Sequence, residues 1–421
     1  MSRLASSTRR LALLALCITP LAASAAEPLG HFRVHSRLDP RLVAYITRNV
    51  EAYYRNLTPR FFAKGFDRPL AIYYSGTAAE TRSLLESFGE PGDAGYGRYY
   101  GRIRTPEGAQ PAVFTHRRMD DGSPAGWGSL FHEITHHFEA LNFGDAPAWF
   151  NEGLASFLGE RTRPVAGRCT FGRPNPRRER ALRNLIERGL KVDVRRLLSL
   201  SDEAFYRSPE GYHLARALFF WLYAEGRFDV CLEAAAHGDY SLNALSRMTG
   251  RSESAINRDL LAFIRRTCYP AAYLYDSDDA PDPERRLALV RRALALRPDY
   301  QLAQMALARA CYQAGNYDGC RAAMAQVLAD STSPERFEAL WKAGDCDYAQ
   351  RRYRQALDHY RRALAAGDYD ERQPQLFYWI GNCCYFVGDR TGMKQWYRRF
   401  LRADWEPDQH RDWVAHARKN L

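Results

Sequence analysis

Beyond its first 26 residues, the sequence lacks any apolar run approaching the roughly 20 residues that a membrane-spanning helix needs. It has nine cysteines but no Cys-x-x-Cys pair, which argues against a cysteine zinc site. Its net charge of +11 has no accompanying nucleic-acid motif, so the basic residues favour a solvated face or contact with anionic surfaces. We therefore expect neither a transmembrane segment nor a nucleic-acid partner.

Residues 1–26 have the layout of a cleavable secretory signal. Three arginines precede an apolar run over residues 11–22, and small residues follow it. The sequence therefore predicts a signal peptide over residues 1–26 and a periplasmic or secreted mature protein. In an oxidising compartment, some of the eight cysteines beyond this leader should form disulfides.

Two stretches in the middle of the chain carry residues suited to metal chemistry. In the first, His132 and His136 lie four residues apart, with Glu133 between them. On a helix, this spacing places both imidazoles on one face, where they can bind a single metal ion. A catalytic zinc takes three protein ligands and keeps its fourth position for water, so one more ligand is needed. Glu152, in the second stretch Trp-Phe-Asn-Glu-Gly-Leu-Ala (149–155), is the candidate.

The second stretch is predicted to form a helix that returns antiparallel to the first. Asp145 can cap this helix, Pro147 suits its first turn and Gly159 lies beyond its end. The loop between the two stretches is long enough for the chain to reverse direction. The carboxylate of Glu152 is therefore expected to face the histidine pair.

The two motifs together resemble those of the gluzincin metallopeptidases, and most closely the peptidase MA-like domains of bacterial envelope proteins. The resemblance is specific over about residues 126–159 and compatible over about residues 31–226. It implies one Zn²⁺ per chain, with His132, His136 and Glu152 as its ligands. A buried polar helix pair that binds no metal is the alternative.

The residue types and the resemblance together imply how such a site would cleave a peptide bond. Zinc lowers the pKa of its bound water, and Glu133, which is not a ligand, can accept the water proton and pass it to the leaving amine. The segment at 211–220 resembles the one by which this family brings a tyrosine to the site. Tyr212 is therefore predicted to stabilise the oxyanion, with an aromatic packing role as its alternative. His213 and Tyr206 are the other candidates.

Several neighbouring residues have a less defined role in the sequence. His137 points about 100° away from His136 on a helix, so we expect it beside the site or on the surface rather than as a ligand. Ser156 lies one turn beyond Glu152, where related enzymes often carry an acidic residue that orients a ligand histidine. The segment at 161–180 contains seven arginines, which form either a basic rim that selects acidic substrates or a solvated loop.

An α+β lobe is predicted over residues 27–125, ahead of a helical catalytic lobe over residues 126–268. Its expected elements are a helix over 39–66, a strand over 69–74, a helix over 78–87 and a hairpin of strands over 97–104 and 112–116. In gluzincins the corresponding edge strand holds an extended peptide, which implies the same role here. The alternative is that the strands cover the catalytic helix and bind nothing.

Residues 269–421 contain a unit of about 34–37 residues that recurs, which is the period of tetratricopeptide repeats. At the helix crossing of each aligned unit, a small residue is expected to meet a bulky one. The small residues are Ala308, Gly344 and Gly381, and the bulky residues are Met324, Tyr360 and Tyr397. The resemblance implies a groove for a peptide or protein partner, or a purely structural array. Cys311 and Cys320 fall on facing helices, so they either form a bridge or remain buried thiols.

The predicted fold class is an α+β metallopeptidase domain, made of a small mixed or antiparallel sheet lobe and a helical zinc lobe, followed by an all-α tetratricopeptide solenoid. The preferred functional interpretation is an exported zinc endopeptidase whose repeats recruit substrate or a partner. An envelope scaffold with an inactive or structural metal domain is the alternative, and a hydrolase of a non-peptide bond is a third. Substrate specificity and oligomeric state are not encoded in any recognisable motif.

Overall fold

The computed structural model describes residues 30–90, 97–105, 108–117, 127–162, 164–165, 167–331, 333–366, 373–403 and 410–421. The predicted signal peptide at 1–26 lies outside the described residues. Among the helices that are described, none is both long enough and apolar enough to span a lipid bilayer.

The first part of the chain forms a small mixed sheet flanked by two helices. Its elements are β1 (Phe32–His35), α1 (Pro40–Leu57), β2 (Leu70–Ser75), α2 (Ala78–Ser87), β3 (Arg98–Thr105) and β4 (Gly108–His116). The strand order is β1-β2-β4-β3, with β2 parallel to both β1 and β4 and with β3 antiparallel to β4. The predicted mixed sheet and hairpin are thus confirmed. In the described sheet, β3 is an edge strand.

Helix α1 ends at Leu57, earlier than the predicted boundary at residue 66. The reason is Pro59, because the proline ring disfavours helical geometry at the preceding residue. Thr58 accordingly adopts an extended conformation with ψ near 129°. The aromatic residues that follow, Phe61 and Phe62, remain buried in the core although they are not helical.

A helical region follows the sheet. Its elements are α3 (Trp127–Asn142), α4 (Ala148–Leu158), the short strands β5 (Pro164–Val165) and β6 (Arg168–Cys169), α5 (Pro176–Glu187), α6 (Val194–Ser199), α7 (Asp202–Arg207), α8 (Gly211–Ala224), α9 (Phe228–Ala236), α10 (Leu242–Thr249) and α11 (Glu253–Phe263). A contiguous cluster of buried apolar residues runs from Phe32 to Cys268. The sheet lobe and the helical lobe therefore share one hydrophobic core.

The remaining helices form the all-α, repeat-like part of the chain. They are α12 (Tyr269–Asp278), α13 (Pro283–Leu296), α14 (Gln301–Gln313), α15 (Tyr317–Leu328), α16 (Arg336–Ala349), α17 (Tyr353–Ala366), α18 (Gln373–Phe386), α19 (Arg390–Ala403) and α20 (Arg411–Lys419). A Cβ atom on Gly344 would lie 2.5 Å from the ring of Tyr360, and one on Gly381 would lie 2.6 Å from the ring of Tyr397. These contacts confirm the predicted pairing of small and bulky residues at successive helix crossings.

The two parts of the molecule are joined by continuous helical structure. Helix α11 passes through a π-helical turn, Ile264–Cys268, into α12. The carboxylate of Asp276 on α12 lies 2.7 Å from the guanidinium of Arg183 and 2.9 Å from that of Arg180, both on α5. The break between α12 and α13 falls at residues 279–282.

The eight described cysteines are free thiols, so of the two alternatives for Cys311 and Cys320 the bridge is not formed. Cys320 on α15 instead lies against Cys346 on α16, with their sulfur atoms 2.7 Å apart and both residues fully buried. Cys311 is partly exposed. For Cys320, the structure therefore agrees with the alternative of a small buried thiol in a helix contact.

Candidate metal centre

Helices α3 and α4 bring the two sequence motifs together. A Cβ atom on Gly159, just beyond α4, would lie 2.6 Å from the backbone Cα of His132, so glycine allows the end of α4 to approach α3 at the first histidine. Asp202 caps the start of α4 by accepting a 2.9 Å hydrogen bond from the backbone amide of Ala148. The predicted cap at Asp145 is wrong because α4 begins at Ala148 and its N-cap position is occupied by Pro147.

Three potential ligand atoms converge at this crossing. The Nε2 atoms of His132 and His136 are 3.1 Å apart, and the Oε2 atom of Glu152 lies 3.3 Å from His132 Nε2 and 3.9 Å from His136 Nε2. In a tetrahedral zinc site with bonds of about 2.0–2.1 Å, ligand atoms are separated by about 3.3 Å. The donor set of two imidazoles and one carboxylate therefore fits a zinc ion, as does the spacing.

Glu133 occupies a buried position beside the three candidate ligands, with 8% of its surface exposed. Burial raises the pKa of its carboxyl group, although the neighbouring His132 and His136 partly oppose this effect. The backbone of Tyr99, on the edge strand β3, also acts to lower this pKa. A carboxylate of raised pKa next to a metal site is suited to accept and return a proton.

Glu139 holds the second histidine from the side away from the ligand atoms. Its Oε2 atom lies 2.6 Å from Nδ1 of His136, three residues earlier on α3. Burial acts to lower the pKa of His136, but the carboxylates of Glu139, Glu133 and Glu152 raise it to about 10. The centre is therefore surrounded by negative charge that favours a cation. Glu139 was not predicted from the sequence, although residues three apart on a helix are neighbours and its spacing from His136 indicates this contact.

Glu152 presents its two carboxylate oxygens to different partners. Oε2 faces the histidines, whereas Oε1 accepts a 3.1 Å hydrogen bond from the hydroxyl of Tyr206 on α7. Burial alone would raise the pKa of Glu152, but the two histidines and the Tyr206 hydroxyl lower it to about 2. Glu152 therefore stays ionised at neutral pH, as a metal ligand requires.

The structure brings Tyr212 to the same cleft as Glu133. Tyr212 lies in the first turn of α8, with its ring centroid 6.1 Å from that of Tyr206. Burial raises the pKa of both hydroxyls, so each remains a hydrogen-bond donor at neutral pH. Tyr206, which the sequence favoured less than Tyr212, donates the hydrogen bond to Glu152. Its separation from Glu152 by a long stretch of chain left no local signal for this contact.

The two other histidines considered from sequence have separate positions. His137 is buried against Phe66 and lies 2.9 Å from the Tyr99 hydroxyl, so it is neither a ligand nor a surface residue. His213 lines the cleft beside Tyr212. Burial lowers the pKa of each to about 4, so both imidazoles are neutral at physiological pH.

A cleft with a volume of about 1400 Å³ opens over the centre. The edge strand β3 contributes Arg98 and Tyr99 to its wall, and helix α12 of the repeat-like part contributes Tyr275 and Asp278. The cleft is large enough for several residues of an extended peptide. Both halves of the molecule therefore shape access to the three candidate ligands.

The arginine-rich segment at 161–180 is divided between the cleft and structural ion pairs. Arg173 pairs with Glu335, Arg178 with Glu160 and Arg180 with Asp276. Arg161 and Arg177 lie on the cleft wall. A basic rim, one of the two alternatives for this segment, would therefore have only part of the charge of these arginines, because several of them form ion pairs. Arg163 lies outside the described residues.

Comparison with known protein families bears on the second half of the chain. The sequence model of the tetratricopeptide repeat family matches residues 279–343. Tetratricopeptide repeats stack into arrays that bind peptides or proteins, which supports a role in protein–protein interaction. A search of curated proteins finds no match.

The repeat-like helices contain a second cavity, of about 360 Å³, between α14, α16, α17 and α18. Aromatic side chains form much of its lining, including Tyr312, Trp341 and Trp379. At its base, Lys342 lies 2.6 Å from Asp345. The cavity thus combines a Lys–Asp ion pair with aromatic side chains, a residue type that is enriched at protein interfaces.

Proposed function

We propose that the chain is an exported zinc-dependent metallopeptidase that cleaves peptide bonds with an activated water. One Zn²⁺ per chain would be held by His132, His136 and Glu152. The proposal is carried by a single observation: these ligand atoms converge at separations suited to zinc, beside the buried carboxylate of Glu133 and within an open cleft. Export, to the periplasm or beyond the cell, is proposed from the leader-like composition of residues 1–26.

The chain's own residues have defined tasks in this reaction. Zinc held there would lower the pKa of a water molecule and polarise the substrate carbonyl. Glu133 takes the proton from that water and returns it to the leaving amine, since its raised pKa is closer to working pH than that of an exposed carboxylate. The hydroxyl of Tyr212 donates a hydrogen bond to the carbonyl oxygen as negative charge develops there.

The edge strand β3 offers a way to hold an extended peptide across the centre. It pairs with β4 on one side, and its residues Arg98, Tyr99 and Tyr100 line the cleft. A peptide that adds to this edge by backbone hydrogen bonds is positioned with little dependence on its sequence. The tetratricopeptide repeats then supply a further contact to a protein substrate or partner.

Metal analysis and peptide cleavage together test the proposal. Purified protein is expected to contain about one zinc per chain and to cleave members of a mixed peptide library, detected by mass spectrometry. Glu133→Gln should retain zinc but lose about 10²–10⁴-fold in cleavage rate, because the proton acceptor is removed. Glu86→Gln, an exposed glutamate on α2, is the matched control and should cleave at the wild-type rate. Absence of zinc, or equal cleavage by Glu133→Gln, would refute the proposal.

A repeat scaffold is the second candidate function, favoured by the family match at residues 279–343 and by the aromatic cavity between α14 and α18. In that case the metal domain would be inactive or structural. Capture of a partner protein that is unchanged by Glu133→Gln, together with zinc-independent binding and no cleavage, would favour the scaffold over the peptidase.

A further inference from the structure

Glu139 joins a buried carboxylate to one of the three candidate metal ligands, His136. Glu139 has 2% of its surface exposed, and its Oε2 atom lies 2.6 Å from Nδ1 of His136. The two residues are three apart on α3, so they share one face of the helix. The carboxylate therefore approaches the imidazole from its Nδ1 side, opposite to the Nε2 atom that faces Glu152.

This arrangement determines which nitrogen of His136 is available for a metal. A carboxylate accepts hydrogen bonds and cannot donate one when ionised, so it holds a proton on Nδ1. Loss of the other proton, from Nε2, would leave a lone pair on that atom, which lies 3.1 Å from Nε2 of His132 and on the side of the proposed zinc ion. Such carboxylate contacts fix the ring orientation and increase the basicity of a ligand histidine.

Ser156 occupies the position where related enzymes often carry an acidic residue, but it does not orient His136. Ser156 is fully buried on α4, and its hydroxyl has no hydrogen-bond partner in the part of the chain that the structure describes. The second oxygen of Glu139, Oε1, is likewise buried without a described partner. A buried carboxylate with one unsatisfied oxygen is a poor choice for packing alone, because burial of an unpaired polar atom is unfavourable.

We propose that Glu139 is a positioning residue for the metal centre: it fixes His136 as the Nδ1-protonated tautomer and aims Nε2 at the ion. This inference rests on the proposed zinc site and adds a residue to it. Glu139 itself touches neither substrate nor ion; it acts through His136. Its removal should therefore weaken zinc binding while the ligands remain in place.

Zinc affinity, measured by competition with a chromophoric chelator, is the main test. Glu139→Gln preserves the size of the side chain but removes its charge, and we expect a 10–100-fold weaker affinity for zinc. Ser156→Ala is the matched control: it also changes a buried polar residue one helix away, and its affinity should stay within about 2-fold of wild type. The visible spectrum of the Co²⁺-substituted protein should change for Glu139→Gln and be preserved for Ser156→Ala.

The wild-type protein provides a measurement that does not depend on whether a variant folds. Nitrogen NMR of ¹⁵N-histidine-labelled, zinc-loaded protein should show His136 protonated at Nδ1 and metal-bound at Nε2. The opposite tautomer would overturn the inference, as would equal zinc affinities for wild type and a folded Glu139→Gln. Failure of the wild-type protein to bind zinc is a different result, because it would refute the proposed function itself.

Discussion

In the repeat-like helices, a glycine meets a tyrosine ring in successive helix pairs. In the metal-site half, residues 30–268, the contacts that position the site do not recur in this way. Gly344 meets Tyr360 and Gly381 meets Tyr397 in equivalent ways. By contrast, Gly159 meets the backbone of α3 at His132, and the buried Arg216 pairs with Glu179. A contact that recurs leaves a repeated pattern in the sequence, which can be recognised even when single units differ. A site made of unique long-range contacts can be recognised mainly by its few catalytic and metal-ligating residue types.

The largest expected effect concerns a buried ion pair of the metal-site half. Arg216 on α8 is 1% exposed, pairs with Glu179 and donates a hydrogen bond to the backbone carbonyl of Arg173. Arg216→Leu should lower the free energy of unfolding by about 3–5 kcal/mol, because it leaves Glu179 buried without its partner. Urea unfolding followed by circular dichroism measures this change.

The matched variant for the repeats is Arg362→Leu, which removes an exposed ion pair with Asp358. Its effect should be below about 1 kcal/mol, since solvent screens such pairs. Similar losses for Arg216→Leu and Arg362→Leu would contradict this contrast between a buried and an exposed ion pair.

The same buried network should give the metal-site half a specific acid sensitivity. Burial alone would raise the pKa of Glu160, but Arg178 and Arg216 lower it to about 2, from an ordinary value of 4.5. A folded-state pKa below the unfolded one stabilises the fold above the unfolded value, and that stability is lost as pH falls from about 4.5 towards 2. Glu160→Gln should therefore flatten the acid limb of stability against pH. An unchanged acid limb would show that Glu160 is not strongly paired.

Glycine substitutions at helix crossings should have effects of intermediate size on stability, and they compare the two halves directly. Gly159→Ala and Gly344→Ala each insert a methyl group into a tight contact, and each should cost about 1–3 kcal/mol of stability. Zinc affinity should fall for Gly159→Ala alone, because its methyl group displaces α4 from His132. Chelator competition on both folded variants distinguishes the two. Equal zinc affinities would mean that the α3–α4 crossing does not set the ligand geometry.

The smallest expected effect separates the two tyrosines of the cleft. Tyr206→Phe removes the hydrogen bond to Glu152 and should weaken zinc binding by about 0.5–1.5 kcal/mol. Tyr212→Phe should affect zinc binding less but reduce peptide cleavage, as expected for an oxyanion donor. The pair is compared by zinc titration and by cleavage rate. The reverse pattern would exchange the two roles.

Much of the architecture could be predicted because it follows from local patterns. The β3–β4 hairpin, the helices that carry His132 and Glu152, and the small and bulky residues of the repeats each arise from spacing along a short stretch of chain. The end of α1 was misplaced by sequence, although Pro59 was present as a stop signal. These helices and strands depend on residues close by in the chain, whose spacing can be read from the sequence.

The supporting contacts of the site could not be predicted in the same way. Asp202 caps α4 from α7, and Tyr206 reaches Glu152 from the same distant helix. Cys320 lies against Cys346 of the next helix pair rather than forming a bridge with Cys311. These contacts depend on how separate elements pack, which no motif along the chain specifies. Glu139 is different, because its position on α3 was within reach of helix geometry.

A crystal structure determined with anomalous scattering at the zinc absorption edge tests the central claim most directly. We predict one anomalous peak per chain, about 2.0–2.1 Å from Nε2 of His132, Nε2 of His136 and Oε2 of Glu152. A peak at another set of residues, or no peak after incubation with zinc, would contradict the account. The tetratricopeptide repeats would then remain as the functional part of the molecule.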